Sequence, residues 1–150
     1  VLNIVLPILE EGEKITQSDK NIRYSLSLIR QDKELDLALL RLECTENNIT
    51  VVPISPNVGI GGEDVYSVSY PQGSGVVMTK GNIQHIWKGK VLCTADVYPG
   101  SSGGGVFNLK GELIGITSNI GVYPTHFDMI PISYLHYFIP IDVISKWLTQ

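Results

Sequence analysis

The 150-residue sequence predicts an all-β fold that ends in a single helix. Three observations carry that prediction. Runs of β-branched and aromatic residues recur along the chain, with Gly- and Pro-containing turns between them. Helical periodicity is absent until residue 141. Six residues without a bulky side chain, Gly100-Ser101-Ser102-Gly103-Gly104-Gly105, lead into two apolar segments joined by a Lys110-Gly111 turn, the pattern of a β-hairpin.

Residues 1–9 read as a strand that Pro7 confines to an edge or ends early, because proline has no N–H to give to a ladder. Residues 10–21 read as a charged loop, and Ile22–Ile29 alternates as a half-buried strand does. Asp32 to Glu34 mark a turn, after which Asp36 leads into Leu37–Leu42, a strand apolar on both faces. Further strands are expected at about 49–54, 64–70, 76–86 and 90–94, with Pro71-Gln72-Gly73 the clearest turn between them. The hairpin pairs 106–108 with 113–118, residues 119–135 form a long insertion, and His136–Pro140 is a strand. The helix, residues 141–150, follows Pro140. It puts Ile141, Ile144 and Leu148 on one face with Val143 and Trp147 beside it, and sets Asp142 four residues before Lys146.

A chain that is 43% hydrophobic and 17% charged can bury a sizeable core. The net charge of −4 and the scatter of the 11 basic residues leave no footprint for nucleic acid or an anionic membrane. No apolar run reaches the roughly 18 residues of a membrane span, and the first residues lack the pattern of a signal peptide. Two cysteines, Cys44 and Cys93, make no disulfide framework and have no metal-site spacing, so each reads as a small apolar filler rather than a reactive thiol. No metal and no cofactor are implied.

The glycine-rich run has a chemical reading beside the plain one of a tight turn. Glycine adopts positive φ and lets backbone N–H groups close around a ligand, so glycines flanking a serine can present a hydroxyl together with a set of donors. The string Gly-x-Ser-Gly-Gly, followed by an apolar pair, a turn and an apolar strand, resembles the nucleophile segment of the trypsin-like serine peptidases. That resemblance implies Ser102 as nucleophile and the N–H groups of Gly100 and Ser102 as the oxyanion hole. Ser101 stands where many members have Asp or Asn. Asp36-Leu-Ala-Leu-Leu-Arg-Leu42 is similar to the segment carrying the triad aspartate, which would orient the catalytic histidine through Nδ1–H; on its own, Asp36 reads as an N-terminal strand cap.

The fold implied is a double β-barrel, with about residues 1–48 the remainder of a first barrel and about 49–150 a complete second barrel across which the helix packs. Val65–Pro71 and Thr79–Ile83 resemble stretches of the HtrA/Deg group, although Ser69 replaces a usual glycine. Asp96, six residues before Ser102, lies where tryptic members place the acidic floor of the specificity pocket, which would favour Arg or Lys. Thr94–Gly100 fits the HtrA-like pattern better, and there Asp96 reads as a polar loop residue or half of an ion pair. Ser118 matches a serine that helps hold the triad aspartate, and Phe138 lies in a strand resembling the pocket wall. Gly115–Asn119 together with Phe138-Ile139-Pro140 most resembles the Deg-type processing peptidases of peroxisomes. This implies an intracellular, organellar protein, as does the scarcity of cysteines, although Leu148-Thr149-Gln150 is not a peroxisomal targeting tripeptide.

A serine needs a general base, and the family's histidine lies upstream of the aspartate. His85, His126 and His136 all come after Asp36, so none is in place. The resemblance therefore implies that the histidine lies just before Val1, that the chain is a fragment inactive alone, and that the histidine-bearing segment is a partner along with peptide or protein substrates and further copies of the chain. The rival is a pseudopeptidase that keeps the fold as a binding or structural module; an unrelated β-barrel interaction domain is a second rival.

Overall fold

In a computed structural model, which describes residues 2–7, 21–43, 51–73, 75–124 and 129–150, the chain divides into two units, residues 1–51 and 52–150. The first holds an antiparallel three-stranded sheet, β1 (Leu2–Pro7), β2 (Asn21–Asp32) and β3 (Leu37–Glu43), in that order. Pro7 is the last residue of β1, and β1 is an edge strand, as a residue without an N–H requires. β2 runs longer than its alternation suggests because a bulge between Leu28 and Arg30 keeps it in register with β3. The β2–β3 turn is closed by Asp32, whose Oδ1 accepts from the N–H groups of Glu34 and Leu35 at 3.0 Å each. Residues 8 and 9 of the expected first strand and 10–20 of the charged loop lie outside the described residues, as does Cys44.

The second unit is a closed antiparallel barrel of β4 (Asp64–Ser69), β5 (Val77–Trp87), β6 (Lys90–Cys93), β7 (Gly105–Phe107), β8 (Leu113–Pro124) and β9 (Met129–Pro140). The order around it is β4-β5-β6-β9-β8-β7, with β7 closing onto β4 through Tyr66–Val68. Side chains at alternate positions fill the interior: Val65, Ile83, Val91, Cys93, Ala95, Val106, Ile114 and Phe138 form one buried cluster. Cys93 is a free thiol in that cluster, and burial pushes its pKa up, which suits an apolar filler. The hairpin turn is built by Asn108, whose Oδ1 accepts from Lys110 N and Glu112 N.

Three expectations need correction. Residues 51–54 are not a strand. Pro53 interrupts the run, and only Ile54 makes an isolated parallel bridge, to Leu113; residues 49–50 lie outside the described residues. The strands expected at 113–118 and 136–140 extend into the insertion at 119–135, which is the outer part of β8 and β9, paired from Gly121↔Ile132 to Pro124↔Met129, with 125–128 outside the described residues. Its β-branched and aromatic residues carry strand propensity that outweighs Gly121, Pro124 and Pro131. The helix, α1 (Ile141–Leu148), packs on β8 and β9 but buries Ile141, Ile144 and Trp147, leaving Leu148 exposed. Its contact stripe follows the i, i+3 row, so the bulkier Trp147 ends up inside. Asp142 and Lys146 form no ion pair, whereas Lys80 and Asp64 form one at 2.6 Å. No helix among the described residues is long and apolar enough to cross a membrane.

Candidate active site

The glycine-rich run is a surface turn fixed at both ends by the barrel. Gly103 N donates to Thr117 O and Thr117 N to Gly104 O, each at 2.8 Å, which ties the turn to β8. Within it, Ser101 N donates to Tyr98 O and Gly104 N to Ser101 O. Gly100 has φ +93°, and a Cβ there would lie 2.8 Å from Gln72 N, so both conformation and space demand glycine.

The two serines differ completely. Ser101 is buried, and its Oγ accepts from Tyr98 N at 3.1 Å and from Ser69 Oγ at 3.0 Å. Ser102 is exposed, and its Oγ donates to the carbonyl of Ser118 at 3.0 Å. Among the described residues, no backbone carbonyl takes the N–H of Gly100 or of Ser102. The turn thus offers a hydroxyl and two uncommitted N–H donors, the parts an oxyanion-stabilised acyl transfer needs.

Ser118 is itself anchored. It is the extra residue of a bulge between Thr117 and Asn119, and its Oγ accepts from Lys90 Nζ at 2.9 Å and donates to Asn119 Oδ1 at 2.8 Å. The approach to the turn is equally fixed. Gly81 lets β5 press against the chain before the turn: a Cβ there would sit 2.0 Å from Ala95 N. Thr79 Oγ1 donates to Asp96 O at 2.6 Å. His136 is fully buried, and its Nδ1 lies 2.9 Å from Ala95 O. A carbonyl only accepts, so Nδ1 carries the proton, and the buried Nε2 has no partner. Burial pushes the pKa of this ring down.

The structure therefore brings Gly100, Ser102 and Ser118 together. Asp36 belongs to the first unit, exposed at the end of the β2–β3 turn with φ +59°. Asp96 is exposed, holding the turn's approach by its carbonyl rather than its carboxylate. Phe138 is sealed in the barrel core at 0% exposure. His85 is exposed on β5, and His126 lies outside the described residues. The cavity of about 380 Å³ lined by Ser55, Asn57, Asn108 and Glu112 touches no residue of the turn.

Residues 8–116 match the family described as trypsin-like peptidase domain. The chain belongs to the trypsin-like peptidases. Among the curated relatives of this trypsin-like domain is a probable serine protease do-like of Buchnera aphidicola subsp. Acyrthosiphon pisum, 33% identical over 126 residues, covering 75% of this chain and 26% of the relative. A probable periplasmic serine endoprotease DegP-like of Buchnera aphidicola subsp. Schizaphis graminum is 31% identical over 125 residues, covering 75% and 26%. One of the same description from Pseudomonas putida is 30% identical over 148 residues, covering 91% and 29%. The chain spans about a quarter of the length of the relatives it matches. These matches carry the HtrA/DegP likeness; the narrower peroxisomal one drawn from Gly115–Asn119 and Phe138–Pro140 is not among what they carry.

Three contributors to this peptidase-like site were not singled out from the sequence. Ser69, which reads as a departure from a usual glycine, supplies the hydrogen bond that holds Ser101. Lys90 and Asn119 hold Ser118, and no local pattern links residues 28 positions apart across an intervening strand.

Proposed function

We propose that the chain is the nucleophile-bearing part of a serine endopeptidase. The observation that carries this reading is the exposed Ser102 hydroxyl in a turn whose Gly100 and Ser102 N–H groups are uncommitted. Ser102 Oγ attacks the peptide carbonyl carbon as its proton passes to a histidine, and the carbonyl oxygen becomes an oxyanion held by those two N–H groups. Collapse of that intermediate breaks the C–N bond, the histidine gives its proton to the leaving amine, and water repeats the sequence to release the acyl group. As the resemblance implies, that histidine lies upstream of Asp36 and outside residues 1–150; the buried His136, with Nδ1 on Ala95 O, and the exposed His85 on β5 are not assigned the role. The resemblance assigns Asp36 the task of orienting that histidine through Nδ1–H. We read Asp96 as a polar loop residue, the role its exposure favours over the floor of a tryptic pocket. Two of the relatives above are named periplasmic, which favours an exported protein over a peroxisomal one.

The test is labelling of the full protein by a fluorophosphonate probe, read by intact mass. One adduct on the wild type, mapped to Ser102 and absent from Ser102→Ala, is the expected result. An unlabelled protein that contains a histidine upstream of residue 1 would sink the peptidase reading and leave the pseudopeptidase.

A further inference from the structure

Lys90 is the first residue of β6, and its neighbour Val91, paired with Phe138, points into the barrel. Alternation along the strand turns Lys90 outward. β9 lies between β6 and β8, and the Lys90 side chain spans it to reach Ser118 Oγ and Asn119 Oδ1 on β8. The bulge at Ser118 makes this possible by presenting two successive polar side chains to one cation. Both acceptors are neutral, and no carboxylate among the described residues pairs with Lys90. An ammonium has three donors, so two are used and one is open. The carbonyl of the same Ser118 receives the Ser102 hydroxyl, so a single residue links the charge to the nucleophile.

We infer that Lys90 gives the site a preference for peptides that carry a carboxylate near the bond to be cleaved. The inference rests on the peptidase reading and deepens it by naming the substrate class. Lys90 is already held in one geometry by neutral groups, so an incoming carboxylate gains a charge-assisted hydrogen bond without ordering the lysine first. The chain as a whole is negative, at −4, so a general field would disfavour acidic peptides.

The experiment uses the full protein as Ser102→Ala, titrated by fluorescence anisotropy with one labelled, C-terminally amidated decapeptide scanned position by position with Glu or Gln. At low salt, Glu binds about 2–5-fold tighter than Gln at one position or more, and the ratio falls toward one in 0.5 M salt, as expected for a partly exposed ion pair. Lys90→Arg keeps the ratio, whereas Lys90→Met and Lys90→Gln abolish it. A merely structural clamp would weaken Glu and Gln peptides equally and leave the ratio unchanged. Comparison of amidated with free-acid peptides separates a side-chain carboxylate from a terminal one. Equal binding of Glu and Gln by the parent, an undiminished ratio in Lys90→Met, or no binding by any peptide would overturn the assignment. Fluorophosphonate labelling of the wild type reports separately: labelling without a Glu preference removes the Lys90 assignment alone, and a Glu preference without labelling leaves a carboxylate-selective binding module.

Discussion

Replacing Ser101 by alanine tests whether the geometry of the turn depends on the buried serine. Ser101 is 1% exposed, and its Oγ accepts two hydrogen bonds, from Tyr98 N at 3.1 Å and Ser69 Oγ at 3.0 Å. Alanine removes the acceptor and leaves both donors to find other partners. With each bond contributing about 0.5–1.5 kcal/mol, Ser101→Ala loses about 1–3 kcal/mol of stability. The volume change is one oxygen, so packing adds little. Urea unfolding read by tryptophan fluorescence measures the loss from the midpoint at constant slope. Ser69→Ala removes only the second bond and costs about half as much, and the two substitutions together cost less than their sum because they share that bond. Fluorophosphonate labelling of Ser102 slows in Ser101→Ala, since the peptide units flanking Ser101 carry the proposed oxyanion donors. A Ser101→Ala protein as stable as the wild type and labelled at the same rate would refute the reasoning.

Two further outcomes follow from the barrel. His136 stays neutral in the fold because burial lowers its pKa, whereas in the unfolded chain it takes a proton near the ordinary histidine value of 6.5. Its contribution to stability is therefore complete above pH 6.5 and is lost as pH falls through the folded pKa. The urea midpoint should decline from pH 7.5 to 5.5 and do so less in His136→Phe; equal declines would remove His136 as the cause. Gly81→Ala sets a Cβ against the Ala95 backbone, which cannot yield as a side-chain end can, and should cost about 1–3 kcal/mol or more in the same assay while shifting the chain that leads into the turn.

What the sequence makes legible is what local chemistry decides. Positive φ at Gly100, the proline that ends β1 and the turn at Lys110-Gly111 are each properties of a few adjacent residues, and each is where the sequence puts it. The closing pairs of the barrel, β7 on β4 and β6 on β9, join segments far apart in the chain and leave no mark in any one of them. Residues 119–124 show the opposite difficulty. Gly121 and Pro124 are residue types that weaken strands, yet a strand whose partner is its own hairpin mate tolerates both, because the missing N–H of proline can face away from the pair.

The same contrast explains the site. Ser102 and Gly100 stand out because the oxyanion chemistry depends on residues within one turn. Ser118 is recognisable by its place in the strand after the hairpin, but the bulge that turns it toward Lys90 is a matter of register between β8 and β9, decided by the whole barrel. Lys90 looks like any strand-start lysine until β9 is seen to lie between it and Ser118. The proposed nucleophile is thus written locally, while the charge preference inferred for Lys90 is written in the pairing of strands. A chain with the same Gly-x-Ser-Gly-Gly turn but no bulge at the Ser118 position should keep the reactive serine and lose any charge selectivity that depends on Lys90.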